Sequence, residues 1–279
     1  MYDKIFVESC EAFYETGVKE AVRAAMNAGK HLILLAGASC SGKTTTSKKI
    51  DDEIEKNGGS AETVSLDDFY LNPSDKPLGE DGNPDYESPE CLDLKLIKET
   101  FASISAGNMT KLPIFNFEQR RRLEKSRIID PDEHTFIVVE GLHALNPEII
   151  GEESRNNAYR IYLTCESPAY DVKLLRRLVR DINYRGASAE LTFSLWDNVK
   201  NGEMKYIYPY KTISNTVINT FFEYELSALK KEGMAVLEKV SNDSIYRGKA
   251  EYLMNLLSGV DPIDRSIIPS SSLMWEFLK

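Results

Sequence analysis

The sequence predicts an α/β fold, a parallel β-sheet flanked by helices, on two observations. The run His31-Leu-Ile-Leu-Leu-Ala36 carries too little polarity for a one-sided sheet and suits the buried centre of a parallel one. Strand-like and helix-like segments then alternate along the chain, which implies βαβ units.

Each element has its own signal. Glu8 to Asn27 predicts an amphipathic helix with Phe13, Val18, Val22 and Met26 as apolar contacts, closed by Gly29. After the first strand, a Gly-rich turn leads into a helix from about Lys43 to Lys56, and Asn57-Gly-Gly59 ends it. Ala61 to Ser65 reads as a second strand. Leu71 to Pro89, rich in Pro, Gly, Asn and Asp, reads as a long loop of the kind that is functional or disordered. A helix follows from about Leu92 to Ala106. Thr135–Val139 and Tyr159–Thr164 are further strands. Pro168 opens a charged helix through Arg180, broken by Gly186, and Thr216–Asn219 is a short strand. Tyr246 to Leu257 reads as a helix in a tail punctuated by Pro262 and Pro269. The expected organisation is an N-terminal helical extension (1–30), a main domain (31–232) and a C-terminal helical tail (233–279) packed on it.

The bulk numbers set limits. The chain has 279 residues, 42% hydrophobic and 28% charged, enough for a large core, with a formal net charge of −10. That acidic balance argues against a nucleic-acid or anionic-membrane binder. No apolar run approaches the roughly 20 residues that span a bilayer. The N-terminal stretch carries Asp3, Glu8 and Glu11 and does not read as a signal peptide. Cys10, Cys40, Cys91 and Cys165 are scattered without metal-ligand or CxxC spacing, so the reading is a reduced, cytoplasmic protein. A homo-oligomer stays open.

Gly37-Ala38-Ser39-Cys40-Ser41-Gly42-Lys43-Thr44 fits the phosphate-loop pattern G-x-x-x-x-G-K-[ST] at every fixed position, between a strand and a helix. Glycines let backbone amides curl around phosphate oxygens, and the following helix, with Thr45 in its first turn, offers its positive end to the anion. Lys43 reaches the β/γ-phosphates and the Thr44 hydroxyl ligates Mg2+. The motif defines a P-loop NTPase fold. Cys40 reads as a tolerated small residue.

A phosphate loop does not choose an acceptor. Asp67 and Asp68 come off the second strand in Ser65-Leu-Asp-Asp-Phe-Tyr70, where a carboxylate takes the proton of an attacking hydroxyl or merely caps the following turn. Glu140 ends a buried strand where a metal-orienting carboxylate belongs, with Gly141 permitting close backbone approach. Arg176, Arg177, Arg180 and Arg185 form a basic cluster in an acidic protein. Arg177 and Arg180 share a helix face and suit a lid over a triphosphate, against the usual solvated helix. His31, His134 and His143 show no metal spacing and read as satisfied structural residues.

Together these pieces resemble the uridine kinase / phosphoribulokinase family of P-loop kinases: GASCSGKTTT, SLDDFY, YESPECLD, LPIFNFEQRRR, FIVVEGLHAL and LLRRLVRDINYRG, in the family's order across roughly residues 31–225. The resemblance implies an ATP- and Mg2+-dependent kinase of a small-molecule nucleoside, acting on its 5′-hydroxyl. Asp67 is then the base, with Lys43 and Arg180 stabilising the transferring group. Glu87 holds the ribose hydroxyls, Thr44 and Glu140 serve Mg2+, and Arg177 and Arg185 complete a lid over about 176–208. Tyr70 and the segment Phe115, Phe117, Arg120 and Arg122 line the acceptor. Uridine kinases carry a Tyr and a His where this chain has Phe115 and Arg120, and another Arg where Ala187 stands, so the base stays open. Two alternatives remain: a kinase of another hydroxyl metabolite, such as a sugar phosphate, and a nucleotide-binding regulator without transfer activity.

Overall fold

Asp3 starts the first helix, α1 (Lys4–Asn27), by accepting the Phe6 amide at 2.8 Å. The structure, a computed structural model, describes residues 2–76, 85–117, 119–167 and 172–279. The buried stripe of α1 is Val7, Glu11, Tyr14, Val18, Ala21, Val22 and Ala25, the spacing of one helix face. Val18, Val22 and Met26 pack as expected, but Phe13 is 80% exposed. Successive helical residues are rotated by about 100°, so burying Tyr14 turns Phe13 outward.

β1 (Leu32–Gly37), α2 (Lys43–Lys56), β2 (Ser60–Ser65) and α3 (Leu94–Ser105) follow. Four short strands come next: β3 (Thr110–Leu112), β4 (Phe115–Asn116), β5 (Arg121–Arg122) and β6 (Arg127–Ile129), pairing antiparallel as β3 with β6 and β4 with β5. Then come β7 (Thr135–Glu140), α4 (Pro147–Ile150), α5 (Glu152–Asn157) and β8 (Tyr159–Thr164). α6 (Val172–Arg185), α7 (Ala189–Gly202), β9 (Thr216–Asn219), α8 (Glu225–Leu237) and α9 (Arg247–Ser258) complete the order. The bounds of α2, β8 and β9 are those the sequence predicts. The expected helix start at Pro168 lies outside the described residues, as do positions 77–84 of the expected long loop. α6 continues past Arg180 to Arg185 before Gly186, at φ +63°, ends it.

The five-stranded sheet is wholly parallel in the order β2–β7–β1–β8–β9. β1 is central and buried, as its apolar run dictates. Register places Glu140 level with Leu35 of β1 and Ser65 of β2, so the carboxyl ends of β1, β2 and β7 open on one edge. In an open parallel sheet, ligands bind at that edge.

Apolar layers cover both faces of the sheet. The C-terminal tail belongs to one of them: Leu253, Leu257, Leu273, Met274, Phe277 and Leu278 share a core with Ile33, Leu35 and α1. α8 runs continuously across residue 232, so the main domain and the tail share a helix as well as a core. Among the described residues no helix is long and apolar enough to cross a membrane.

Candidate active site

The phosphate loop connects β1 to α2. Gly42 stands at φ +83°, the left-handed region that glycine enters without strain, and turns the chain into α2. Cys40, a non-glycine residue, also has positive φ at 62°, and its carbonyl accepts from Arg176 at 3.1 Å. Lys43 folds back over the loop, its Nζ donating to the carbonyls of Gly37 (3.1 Å) and Ala38 (3.0 Å). Thr46 Oγ1 donates to the Gly42 carbonyl at 2.7 Å and meets Tyr14 Oη of α1 at 2.7 Å. The N-terminal helix therefore props the first turn of α2.

Arg176 supports the loop from behind. It is fully buried, pairs with Glu225 at 2.6 Å and donates to the Thr220 carbonyl at 2.6 Å. The other arginines of the cluster differ. Arg177, Arg180 and Arg185 converge on buried Asp181 at 3.3, 2.7 and 3.7 Å, and Arg177 also donates to Ser39 Oγ of the loop at 3.1 Å. Asp181 thus gathers these arginines beside the loop. The helical spacings Arg177/Asp181 and Asp181/Arg185 are the signal by which the sequence could have shown this role.

Glu140 is 4% exposed, and its Oε1 accepts from Ser65 Oγ at 2.6 Å. Burial, and next the charge of Asp67, push its carboxyl up to about 7, opposed by Lys43. Such a carboxylate needs a cation beside it to stay ionised. The oxygen donors Thr44, Ser65 and Glu140 suit Mg2+, which takes one or two protein carboxylates and completes its shell with water and substrate phosphates.

Asp67 and Asp68 lie in a single helical turn, Leu66–Phe69, after β2, and the structure separates them. Asp68 Oδ1 accepts the Phe115 amide at 3.0 Å and so anchors β4. Asp67 lies close enough for its charge to act on both Glu140 and Glu87.

Glu87 is 8% exposed, and burial raises its carboxyl to about 7 against the pull of Arg177 and Lys43. Its Oε2 has no hydrogen-bond partner among the described residues. Gly202, at the end of α7, presses on it: a Cβ there would lie 2.2 Å from Glu87 Cβ, so only glycine lets α7 come this close. Tyr70 Oη donates to the Tyr86 carbonyl at 3.2 Å. The rings of Tyr70, Phe115 and Phe117 form one cluster with centroids 5.1–6.4 Å apart, and Arg185 lies 5.2 Å from the Phe117 centroid. Arg122 is engaged by its own chain, pairing with Asp93 at 3.1 Å and donating to the Phe69 carbonyl at 3.1 Å. Arg120 is exposed in the β4–β5 turn at φ +53°.

Two residues near the loop are not foreseen from sequence. Glu276, in the tail, accepts the Thr45 amide at 2.7 Å, in the first turn of α2. The partners are 231 positions apart, and nothing in the sequence announces the contact. His143, expected to be structurally satisfied, is 2% exposed, and its ring lies within hydrogen-bonding reach of the Glu87 backbone, off the ideal angle. Its place in the Glu140-Gly-Leu-His143 run was the available signal.

A phosphate loop at the centre of a parallel sheet, with carboxylates on the neighbouring strand ends, defines a P-loop kinase fold. The pattern of the Phosphoribulokinase / Uridine kinase family matches residues 32–227, and the chain belongs to that family. A uridine kinase of Halobacterium salinarum is 29% identical over 185 residues, covering 66% of this chain and 77% of the relative. A uridine kinase of Ureaplasma parvum is 33% identical over 165 residues, 59% of this chain and 75% of its own. Among solved structures, a kinase from Silicibacter sp. TM1040, provisionally assigned to fructose transport, superposes with a TM-score of 0.55 at 17% identity. It covers 74% of this chain and 98% of its own, a likeness of fold alone.

Proposed function

We propose that this protein transfers the γ-phosphoryl group of ATP to the 5′-hydroxyl of a nucleoside, giving the nucleoside monophosphate. The observation that carries the reading is Asp67, in the turn after β2, near enough to both Glu140 and Glu87 for its charge to act on each. The similarity to uridine kinases supports a nucleoside acceptor.

Backbone amides of residues 37–45 and Lys43 hold the triphosphate. Lys43 gives up its bonds to the Gly37 and Ala38 carbonyls to meet phosphate oxygens. Asp67 accepts the proton of the 5′-hydroxyl as its oxygen attacks the γ-phosphorus. Arg177, Arg180 and Arg185 leave Asp181 in part and spread over the charge that develops on the transferring group. Thr44 and Glu140 hold Mg2+, which neutralises charge on the phosphates when bound. Glu87 accepts from the ribose hydroxyls, and the rings of Tyr70, Phe115 and Phe117 supply faces on which a base stacks. Arg120 and Arg122 frame the far end, Arg122 as the brace that fixes the hairpin. α6 and α7 act as the lid, with Gly202 against Glu87 excluding water that would otherwise hydrolyse ATP.

Asp67→Asn tests the reading. Turnover is expected to fall about 100- to 10,000-fold while Mg-ATP binding by calorimetry stays within a factor of two. Unchanged turnover removes Asp67 from the mechanism.

A further inference from the structure

The tail that shares the core also reaches the phosphate loop, and it does so from outside the stretch 32–227 that the family pattern matches. Its last turn, Leu273–Glu276, is firmly seated. Leu273, Met274, Phe277 and Leu278 are buried. The Trp275 ring nitrogen donates to the Pro269 carbonyl at 2.8 Å, and the Phe277 and Leu278 carbonyls accept from the Asn183 and Tyr184 side chains of α6. Glu276 is half-buried, and its side chain leaves this anchored turn to take the Thr45 amide at 2.7 Å. Its charge also reaches Glu140 and Arg180.

The amide it takes is one that α2 cannot satisfy by itself. The first turn of a helix leaves its N–H groups without partners inside the helix, and Gly42 at the N-cap has no side chain to offer. A carboxylate at the positive end of a helix meets the same field and the same donors as a phosphate oxygen. Lys43, meanwhile, gives its donors to the Gly37 and Ala38 carbonyls. In this arrangement an anion-binding amide of the loop and its main cation are both engaged by the chain itself. The two engagements differ in kind. Lys43 bonds neutral carbonyls, and charged phosphate oxygens make the stronger partners. Glu276 brings a negative charge, which opposes an incoming triphosphate while it holds a donor that the triphosphate needs. Because the turn beneath it is fixed, a rotation of the Glu276 side chain is enough to free the amide.

We propose that Glu276 is an autoinhibitory residue of the donor site: its carboxylate holds the Thr45 amide until a nucleoside triphosphate displaces it, and so sets a threshold on donor binding. The inference rests on the phosphate loop taking the donor's phosphates, and it goes beyond the reading above by giving the tail a part in donor uptake. One consequence separates such a plug from a plain helix cap. A cap supports the fold in every state of the protein, whereas a plug supports only the state it closes. What the contact adds to the stability of the nucleotide-free protein is then lost from nucleotide affinity.

The experiment compares full-length wild type, Glu276→Ala and Glu276→Gln by titration calorimetry with Mg-ATP and by thermal unfolding with and without it. The Kd for Mg-ATP is expected to fall about two- to ten-fold in Glu276→Ala, and about two- to five-fold in Glu276→Gln, which keeps an acceptor oxygen but loses the charge. Without nucleotide, the Tm of Glu276→Ala is expected to lie about 1–4 °C below wild type. At one saturating concentration of Mg-ATP that gap closes, because the tighter binding returns what the lost contact removed. A gap of the same size with and without nucleotide overturns the proposal and makes Glu276 a plain cap, and so does a Kd that rises. Should Glu276→Ala fail to fold, Glu276→Gln decides the matter by the same two readings, its size and acceptor oxygen being retained. A wild type that takes up no Mg-ATP overturns the phosphate-loop reading and this inference together. Uptake of Mg-ATP that neither substitution changes overturns this inference alone.

Discussion

The two walls of the cleft are finished differently. On the wall proposed to take the triphosphate the protein satisfies itself: Lys43 bonds its own loop, three arginines share Asp181, and the Thr45 amide is taken by Glu276. On the wall proposed for the acceptor, Glu87 is buried and its Oε2 has no hydrogen-bond partner among the described residues. In the proposed reaction the donor wall exchanges bonds when a triphosphate arrives, and strong charges make that exchange favourable. In the proposed reaction the acceptor wall has fewer bonds to exchange, and its selectivity comes from groups such as the Glu87 carboxyl.

That contrast is open to three breaks. The largest concerns the frame behind the donor wall. Arg176→Ala leaves Glu225 as an uncompensated buried charge, and chemical denaturation is expected to show a loss of about 3–5 kcal/mol. A loss below about 1 kcal/mol would mean that the pair does not hold the loop.

Next comes the acceptor wall. Folded Glu87 keeps its proton to about pH 7, whereas an unfolded glutamate releases it near 4.5. Between those values the folded state binds more protons, so its stability falls as pH rises. Glu87→Gln removes that slope and is expected to stabilise the free protein by up to about 3 kcal/mol at pH 8, with little effect at pH 4.5. Equal effects at both pH values would contradict the buried, protonated carboxyl.

The smallest concerns Glu276. Its side chain takes an amide at the positive end of α2 that the proposed reaction assigns to phosphate. Glu276→Gln weakens that competition, and Mg-ATP binding is expected to tighten about two- to five-fold, the worth of one charge at a helix end. Weaker binding would make Glu276 a support of the loop instead.

The sheet was legible because β1 is an unbroken apolar run and its glycine turn leads straight into a helix. Those are local signals, and α2, β8 and β9 fall where local pattern places them. α1 was legible as a helix but not in its facing: Phe13 and Tyr14 are both aromatic, and only packing decides which goes inside. The candidate site divides the same way. The phosphate loop, Glu140 and the Asp67 segment stand out because each sits at a strand end with a chemical reason to be there. Glu276 does not, because tertiary folding alone brings a tail carboxylate to Thr45. Arg176 reads like its neighbours in a charged helix, yet its position on the inward face makes it a buried pillar while Arg177 and Arg180 face the loop.

The most direct test is chemical. Purified protein, Mg-ATP and a panel of ribonucleosides are followed by phosphorus NMR for loss of the γ-phosphate and growth of a 5′-monophosphate resonance. One ribonucleoside is expected to be converted with one ADP formed per monophosphate. ADP formed with inorganic phosphate alone, or a phosphoryl group arriving only on sugars, would contradict nucleoside phosphorylation.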